Sequence, residues 1–163
     1  MKRTLTLILA VVMLATVFII PVNAADKNDL VIGGTDVEIE YLENGDYIIT
    51  YIETNSIIVP DASTQATTVT KTKTKNYLNS AGDVMWCIKV QGTFTYDGST
   101  SKCTNAAHKA ASYAASWSIV SASSSKSGNT ATATATARHT SGVGYNDYTR
   151  SVSLTCSKTG VFS

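Results

Sequence analysis

The side chains in this sequence that could do chemistry each need a partner, which the spacing either supplies or withholds. A hydrolase needs an oriented base, yet the two histidines, His108 and His139, stand in different segments and neither has an acidic neighbour in sequence. Glu38 and Glu40 lie on one face of a strand, and a carboxylate pair roughly 5 to 10 Å apart can hydrolyse a glycosidic bond. Such a pair works across a sugar-sized cleft, and the solvent side of a hairpin offers none. There is no Gly-x-Ser-x-Gly elbow, no His-Glu-x-x-His, no phosphate-cradling glycine loop and no metal-spaced Cys or His pair. These absences point away from an enzyme and imply neither cofactor nor metal.

Binding chemistry has better candidates. Lys71, Lys73 and Lys75 alternate with threonine in TTVTKTKTKNYL, a pattern typical of a sheet edge protected against pairing with another chain. Trp117 and Tyr145 fall near strand ends or loops, where an aromatic face can stack on a glycan, whereas Trp86 is in phase with the core. A threonine row at Thr130, Thr132, Thr134 and Thr136 has the look of an ice-binding rank, but one row is no array, and it reads as a sheet face of small β-branched residues.

Charge is unevenly laid out. Residues 25–62 hold nine acidic side chains and one lysine, a net −8, while residues 63–163 hold ten basic and three acidic, a net +7. The basic side chains, among them Lys89, Lys102, Lys126, Arg138 and Arg150, would be drawn to an anionic cell-wall polymer or glycan. An acidic segment that masks a basic domain until it is cut near Pro60 is the alternative. Nucleic acid is not the expected partner, because the lysines are not interleaved with exposed aromatics in a known module.

These residues must be held by strands. The organising stretch is VMWCIKVQGTFTY, Val84 to Tyr96, in which Val84, Trp86, Ile88, Val90, Phe94 and Tyr96 recur with the period of two that buries one face. Upstream, VEIEYLENGDYIITYI carries a hairpin signal at Asn44-Gly45. A three-residue loop of Glu43, Asn44 and a left-handed Gly45 gathers Val37, Ile39, Tyr41, Tyr47, Ile49 and Tyr51 on one face, which then has to dock on something. NSIIVPDASTQA reads as a linker or crossover. Asp97-Gly98 reads as a two-residue turn that sets Tyr96 against Ser99 and Gly92 against Cys103, with Gly92 leaving room for the thiol. Asn105 to Ser112 fits a short helix or a strand, and Tyr113 to Val120 is read as a strand. A serine-rich turn then ends at Gly128. TATATATARH gives a strand with threonine on one side and alanine on the other, and after Gly142 and Gly144 the chain returns with Tyr148, Val152, Leu154 and Cys156 in phase. The class is all-β, an immunoglobulin-like antiparallel β-sandwich with an N-terminal β-hairpin, with a small closed barrel as the other solution.

Three cysteines leave one unpaired within a monomer. Phase puts Cys103 and Cys156 on core-side positions and Cys87 on the opposite face, so the expected disulfide is Cys103 to Cys156. Its loop of about fifty residues would be worth roughly 4 kcal/mol. GTFTYDG followed by SKC, the tryptophan of SWSIV, TATAT and LTCSKTG together resemble small secreted β-rich proteins of Gram-positive bacteria, over roughly the last ninety residues. The resemblance implies a bacterial source and supports the same cysteine pairing; it brings no activity with it.

The N-terminus, MKRTLTLILAVVMLATVFIIPVNAA, has the basic, apolar and small-residue regions of a secretory signal peptide cut after Ala24. The expected organisation is a signal peptide at 1–24, an acidic segment with a hairpin at 25–62 and a basic β-sandwich at 63–163. No transmembrane anchor is expected after signal cleavage. The reading is a secreted, non-catalytic binding or cell-envelope-associated protein.

Overall fold

A computed structural model describes residues 34–53, 57–60 and 66–163. The expected signal peptide and the residues on either side of the strand that ends at Pro60 lie outside that set. Nine strands, and no helix among the described residues, run in chain order: β1 Gly34–Tyr41, β2 Tyr47–Glu53, β3 Ile57–Pro60, β4 Thr67–Leu78, β5 Val84–Tyr96, β6 Ser101–Ser112, β7 Trp117–Ser127, β8 Thr130–Ser141 and β9 Gly144–Thr155. They form two antiparallel sheets. The larger has the order β1-β2-β4-β5-β6, with β3 also on β4, and the smaller is β7-β8-β9.

β2 covers β4 from Leu78 back to Lys73, and β3 continues along the same edge from Thr70 to Thr67. They act as one interrupted strand, so what reads as linker in sequence is partly ladder. Both sheets are meanders, without the long return connection of the Greek key that immunoglobulin domains use.

The β1–β2 hairpin closes through the three-residue loop. The Leu42 N–H donates to the Asp46 carbonyl at 2.8 Å, Tyr41 faces Tyr47, and Gly45 sits at φ +85°, where a side chain would be strained. Which face docks is the reverse of expectation. Ile48 and Ile52 enter the main core, whereas Ile49 and Tyr51 form a small outer cluster with Leu78, and Ile39 and Tyr41 remain exposed. The sequence YIITYIE is apolar on both faces, so the hairpin could satisfy the core with either.

The main core lies between the sheets. Trp86, Ile88, Val90 and Phe94 of β5 meet Ala131, Ala133, Ala135 and Ala137 of β8 and Val152 and Leu154 of β9. All four alanines are at most 1% exposed, and the threonines between them bond across to β9 on the outer face, as in Thr134 to Ser151 at 2.8 Å. The small alanine row lets the aromatic residues of β5 fill the interlayer space.

The turn after β5 is displaced. Tyr96 pairs with Ser101 rather than Ser99, the Asp97 N–H donates to the Thr100 carbonyl, and the Asp97 carboxylate caps the Ser99 and Thr100 N–H groups. These bonds hold that carboxyl below its ordinary value. A shift of two residues preserves side-chain phase, so Cys103 still faces inward. It sits opposite Phe94, not Gly92, and the space above Gly92 holds the Phe94 ring. Residues 105–112 are strand, Tyr113 to Ser116 is turn, and Ser121–Ser127 is ladder against β8 rather than a turn. Serine is a weak strand former alone, but pairing with β8 overrides local preference.

The expected Cys103–Cys156 disulfide is not formed: all three cysteines are buried free thiols. The Cys103 and Cys156 thiols donate to the Asn105 and Ser157 carbonyls at 3.2 and 3.3 Å, and burial raises both pKa values. The two belong to one core cluster and flank the same turn, with Cys103 N–H bonded to Gly128 O and Cys156 N–H to Asn129 O. Cys87 lies on the other side of the sheet against the Tyr113 hydroxyl, at 3.4 Å. That contact and burial push the Tyr113 pKa up to about 12.

Candidate functional site

The two sheets differ in width, and the difference creates the site. On one side they are joined: Lys126 Nζ donates to the Thr104 carbonyl, Ser124 to that of Ala106, and His108 Nδ1 lies 3.1 Å from Ser124 Oγ. On the other side the smaller sheet ends at β9, which packs against β4, and the larger sheet continues beyond it through β2 and β1. No strand of the smaller sheet lies over β2 or β1.

Register fixes what the overhang presents. Val69, Lys73, Lys75 and Tyr77 pair with Phe94, Val90, Ile88 and Trp86, so the lysines share the core-side face of β4, while Thr70, Thr72 and Thr74 face outward. β4 is therefore an interior strand, not the protected edge expected from its Thr-Lys alternation. Ile52, Thr50 and Ile48 of β2 stand beside Lys73, Lys75 and Tyr77, and Glu38 and Glu40 of β1 stand in the next row out. Ile48 and Ile52 belong to the common core and are 1% and 2% exposed. The lysines beside them are half-buried, and a lysine so placed can lay its methylene stem over apolar neighbours while its ammonium stays in water. From β9, Arg150 reaches across, its Nη2 3.3 Å from the Tyr77 hydroxyl and its guanidinium 5.7 Å from the ring centre.

Lys71, Lys73 and Lys75 thus share one face, with Arg150 at its Tyr77 end, and none has an ion pair among the described residues. Two other cations are paired. Lys89 is 2.6 Å from Glu53 on the outer face, and Arg138 forms a fork with Asp147 at 2.7 and 2.8 Å. Burial opposes the charge on Glu53, but the Lys89 ammonium and the Thr74 hydroxyl outweigh it and hold the carboxyl below its ordinary value. Lys89 is correspondingly raised, with burial again the opposing effect.

A cleft lies at each end of this row of β4 residues. One, of about 300 Å³, lies between Ile52, Val69 and Lys71 and the C-terminal Gly160, Val161 and Phe162. The other, of about 190 Å³, lies between Asn44, Asp46, Met85 and Ser116 on one side and Tyr77, Trp117, His139 and Tyr148 on the other. Pairing of Trp117 with His139 stacks the rings 4.8 Å apart, and Tyr148 leans on Trp117 at 5.4 Å.

Of the residues singled out in sequence, Lys71, Lys73 and Lys75 come together on one face, and Trp117 joins the cleft at their Tyr77 end. Tyr145 does not: it stands on the outer face of the smaller sheet, under the Arg138 guanidinium at 3.8 Å. Arg150 was one cation among many in sequence, His139 was visible only as a base without an acidic neighbour, and Asp46 and Tyr77 carried no signal there. Tyr148 was visible only as a core-phase residue. No helix among the described residues is long and apolar enough to cross a membrane. No protein-family model, no curated protein and no solved structure matches this chain.

Proposed function

We propose that this is a secreted, non-catalytic β-sandwich protein of the cell envelope whose β4 groove holds a linear anionic polymer. The observation that carries this reading is the convergence of Lys71, Lys73, Lys75 and Arg150 in one groove without ion pairs among the described residues. Alternate residues on a strand are about 6.6 Å apart, so the three ammonium groups span about 13 Å in a line. That spacing suits successive charges of an extended polyanion rather than one compact anion.

Masking of a basic domain by the acidic segment fits this architecture less well. A cut near Pro60 would remove β1 and β2, and with them Ile48 and Ile52, from the common core. Glu38 and Glu40 are better read as an acidic rim that sets the groove's far boundary and repels a polymer lying out of register.

The test is binding of the mature chain to poly(glycerol phosphate), followed by co-sedimentation with cell-wall sacculi. The Lys71→Gln, Lys73→Gln, Lys75→Gln variant keeps most of each stem and should lose affinity at least about tenfold, and wild-type binding should weaken as salt rises. Undiminished binding by that variant would refute the groove.

A further inference from the structure

We propose that the cleft beside Trp117 is a subsite for a single uncharged, pyranose-sized sugar ring carried by the polymer. This rests on the groove reading for the polymer's path but on the cleft's own chemistry for its occupant. Tyr77 is the next core-side residue of β4 after Lys75, so a chain lying along the lysines runs directly into the cleft. At about 190 Å³ the cleft holds roughly six waters' volume and is smaller than pockets for drug-sized ligands, which begin near 300 Å³.

The lining selects by elimination. An anion would meet the Asp46 carboxylate, which is fixed by the Asn44 amide at 2.8 Å and the Ser80 N–H at 3.1 Å. A cation seeking an aromatic cage would compete with groups already there, since the Arg150 guanidinium lies over Tyr77 and the His139 imidazole is stacked on Trp117. A ring with apolar C–H faces and hydroxyl edges meets neither objection. Ser116 Oγ, the Tyr148 hydroxyl and the His139 ring nitrogens have no hydrogen-bond partner among the described residues, and Asp46 supplies an oriented acceptor. Met85, Trp117 and Tyr148 supply the apolar part of the lining. The polymer that satisfies groove and cleft together is a sugar-substituted polyol phosphate.

Titration of the mature chain with neutral methyl glycosides of glucose and N-acetylglucosamine, followed by tryptophan fluorescence and amide NMR shifts, tests this. One of them should bind with a dissociation constant on the order of millimolar, independently of salt and equally in the triple lysine variant. Ser116 is exposed at a turn, and Ser116→Phe should fill the cleft and weaken glycoside binding at least about tenfold, with Asp46→Asn weakening it by a smaller factor. Glycosylated polymer should bind wild type more tightly than the bare polymer, and Ser116→Phe should erase that difference while still binding bare polymer. No response to either glycoside, or glycoside binding that survives Ser116→Phe, overturns the subsite. Loss of bare-polymer binding alone concerns the groove.

Discussion

Replacing Gly92 by alanine puts the packing argument at risk in one measurement. In the interior of a strand, glycine costs roughly 0.5 to 1 kcal/mol relative to alanine, so backbone entropy alone favours the substitution. The structure reverses the sign. A β-carbon at Gly92 would lie 2.3 and 2.5 Å from Cε2 and Cζ of Phe94 and 3.1 Å from the Ala131 β-carbon. Phe94 has nowhere to go, because it is 0% exposed and packs edge-on against Phe162 at 5.3 Å. Forcing an added methyl into such a site costs typically about 1 to 3 kcal/mol, which leaves a net loss of about 0.5 to 2 kcal/mol after the backbone gain, and at about 4 °C per kcal/mol for a domain of this size the melting temperature should fall by about 2 to 8 °C. Gly142→Ala is the control, since nothing lies within 4 Å of its β-carbon position; it should be neutral or slightly stabilising. Phe94→Leu should recover part of the Gly92→Ala loss, giving a favourable coupling in a double-mutant cycle. A neutral or stabilising Gly92→Ala, or strictly additive effects of the two changes, would refute this account of the core.

The Glu53–Lys89 pair predicts the pH profile. The depressed Glu53 carboxyl contributes stability above its unfolded value near 4.5 that is lost as pH falls through the lower folded value, and the raised Lys89 loses its share only as pH climbs past 10.5. With side chains 25% and 34% exposed the pair is worth about 1 kcal/mol, so Glu53→Gln should lower the urea midpoint at neutral pH and flatten its acid limb; parallel profiles would count against it. A chain of residues 63–163 alone should melt without cooperativity, because losing Ile48 and Ile52 removes roughly 3 to 6 kcal/mol of burial from a typical total of about 5 to 15 kcal/mol; a melt like that of the whole chain would make the acidic segment dispensable. Burial and raised pKa values should make Cys103 and Cys156 slow to alkylate in the folded protein and fast in urea, and rapid alkylation of either in the folded state would contradict its place in the core.

Periodicity made much of the fold legible. The stripe from Val84 to Phe94 was readable because alternation distinguished a buried face from a wet one; in β8 the two faces were readable but not which of them is buried, and the apolar face that selects the three-residue loop at Gly45 is not the one in the main core. The Asp97 turn was placed two residues early, an error that phase forgives because an even shift returns every side chain to its face. Composition misled where neighbours decide. Residues 105–112 of alanine-rich β6 fit a helix or a strand in sequence, and the serine-rich part of β7 after Val120 reads as a turn, yet each is held by a long partner strand whose pairing overrides local preference. YIITYIE could not announce its core face, since both faces are apolar.

The site shows the same division between what lies along one strand and what several strands bring together. Lys71, Lys73 and Lys75 were legible as a charged row because a single strand carries them, but alternation with threonine looks the same on an edge strand and on an interior strand beneath an overhang. Sheet width decides between these, and it depends on how many strands pair on each side, which no local pattern records. Arg150 and Tyr77 are 73 positions apart and meet only because β9 is the last strand of the smaller sheet. The cleft at Trp117 is assembled from a hairpin turn, two strand starts and two strand ends, so its carboxylate, imidazole and phenol share no spacing in the chain. Three strands packed over part of a wider sheet leave a cationic face that the core cannot use, and that surplus surface is where the proposed polymer would lie.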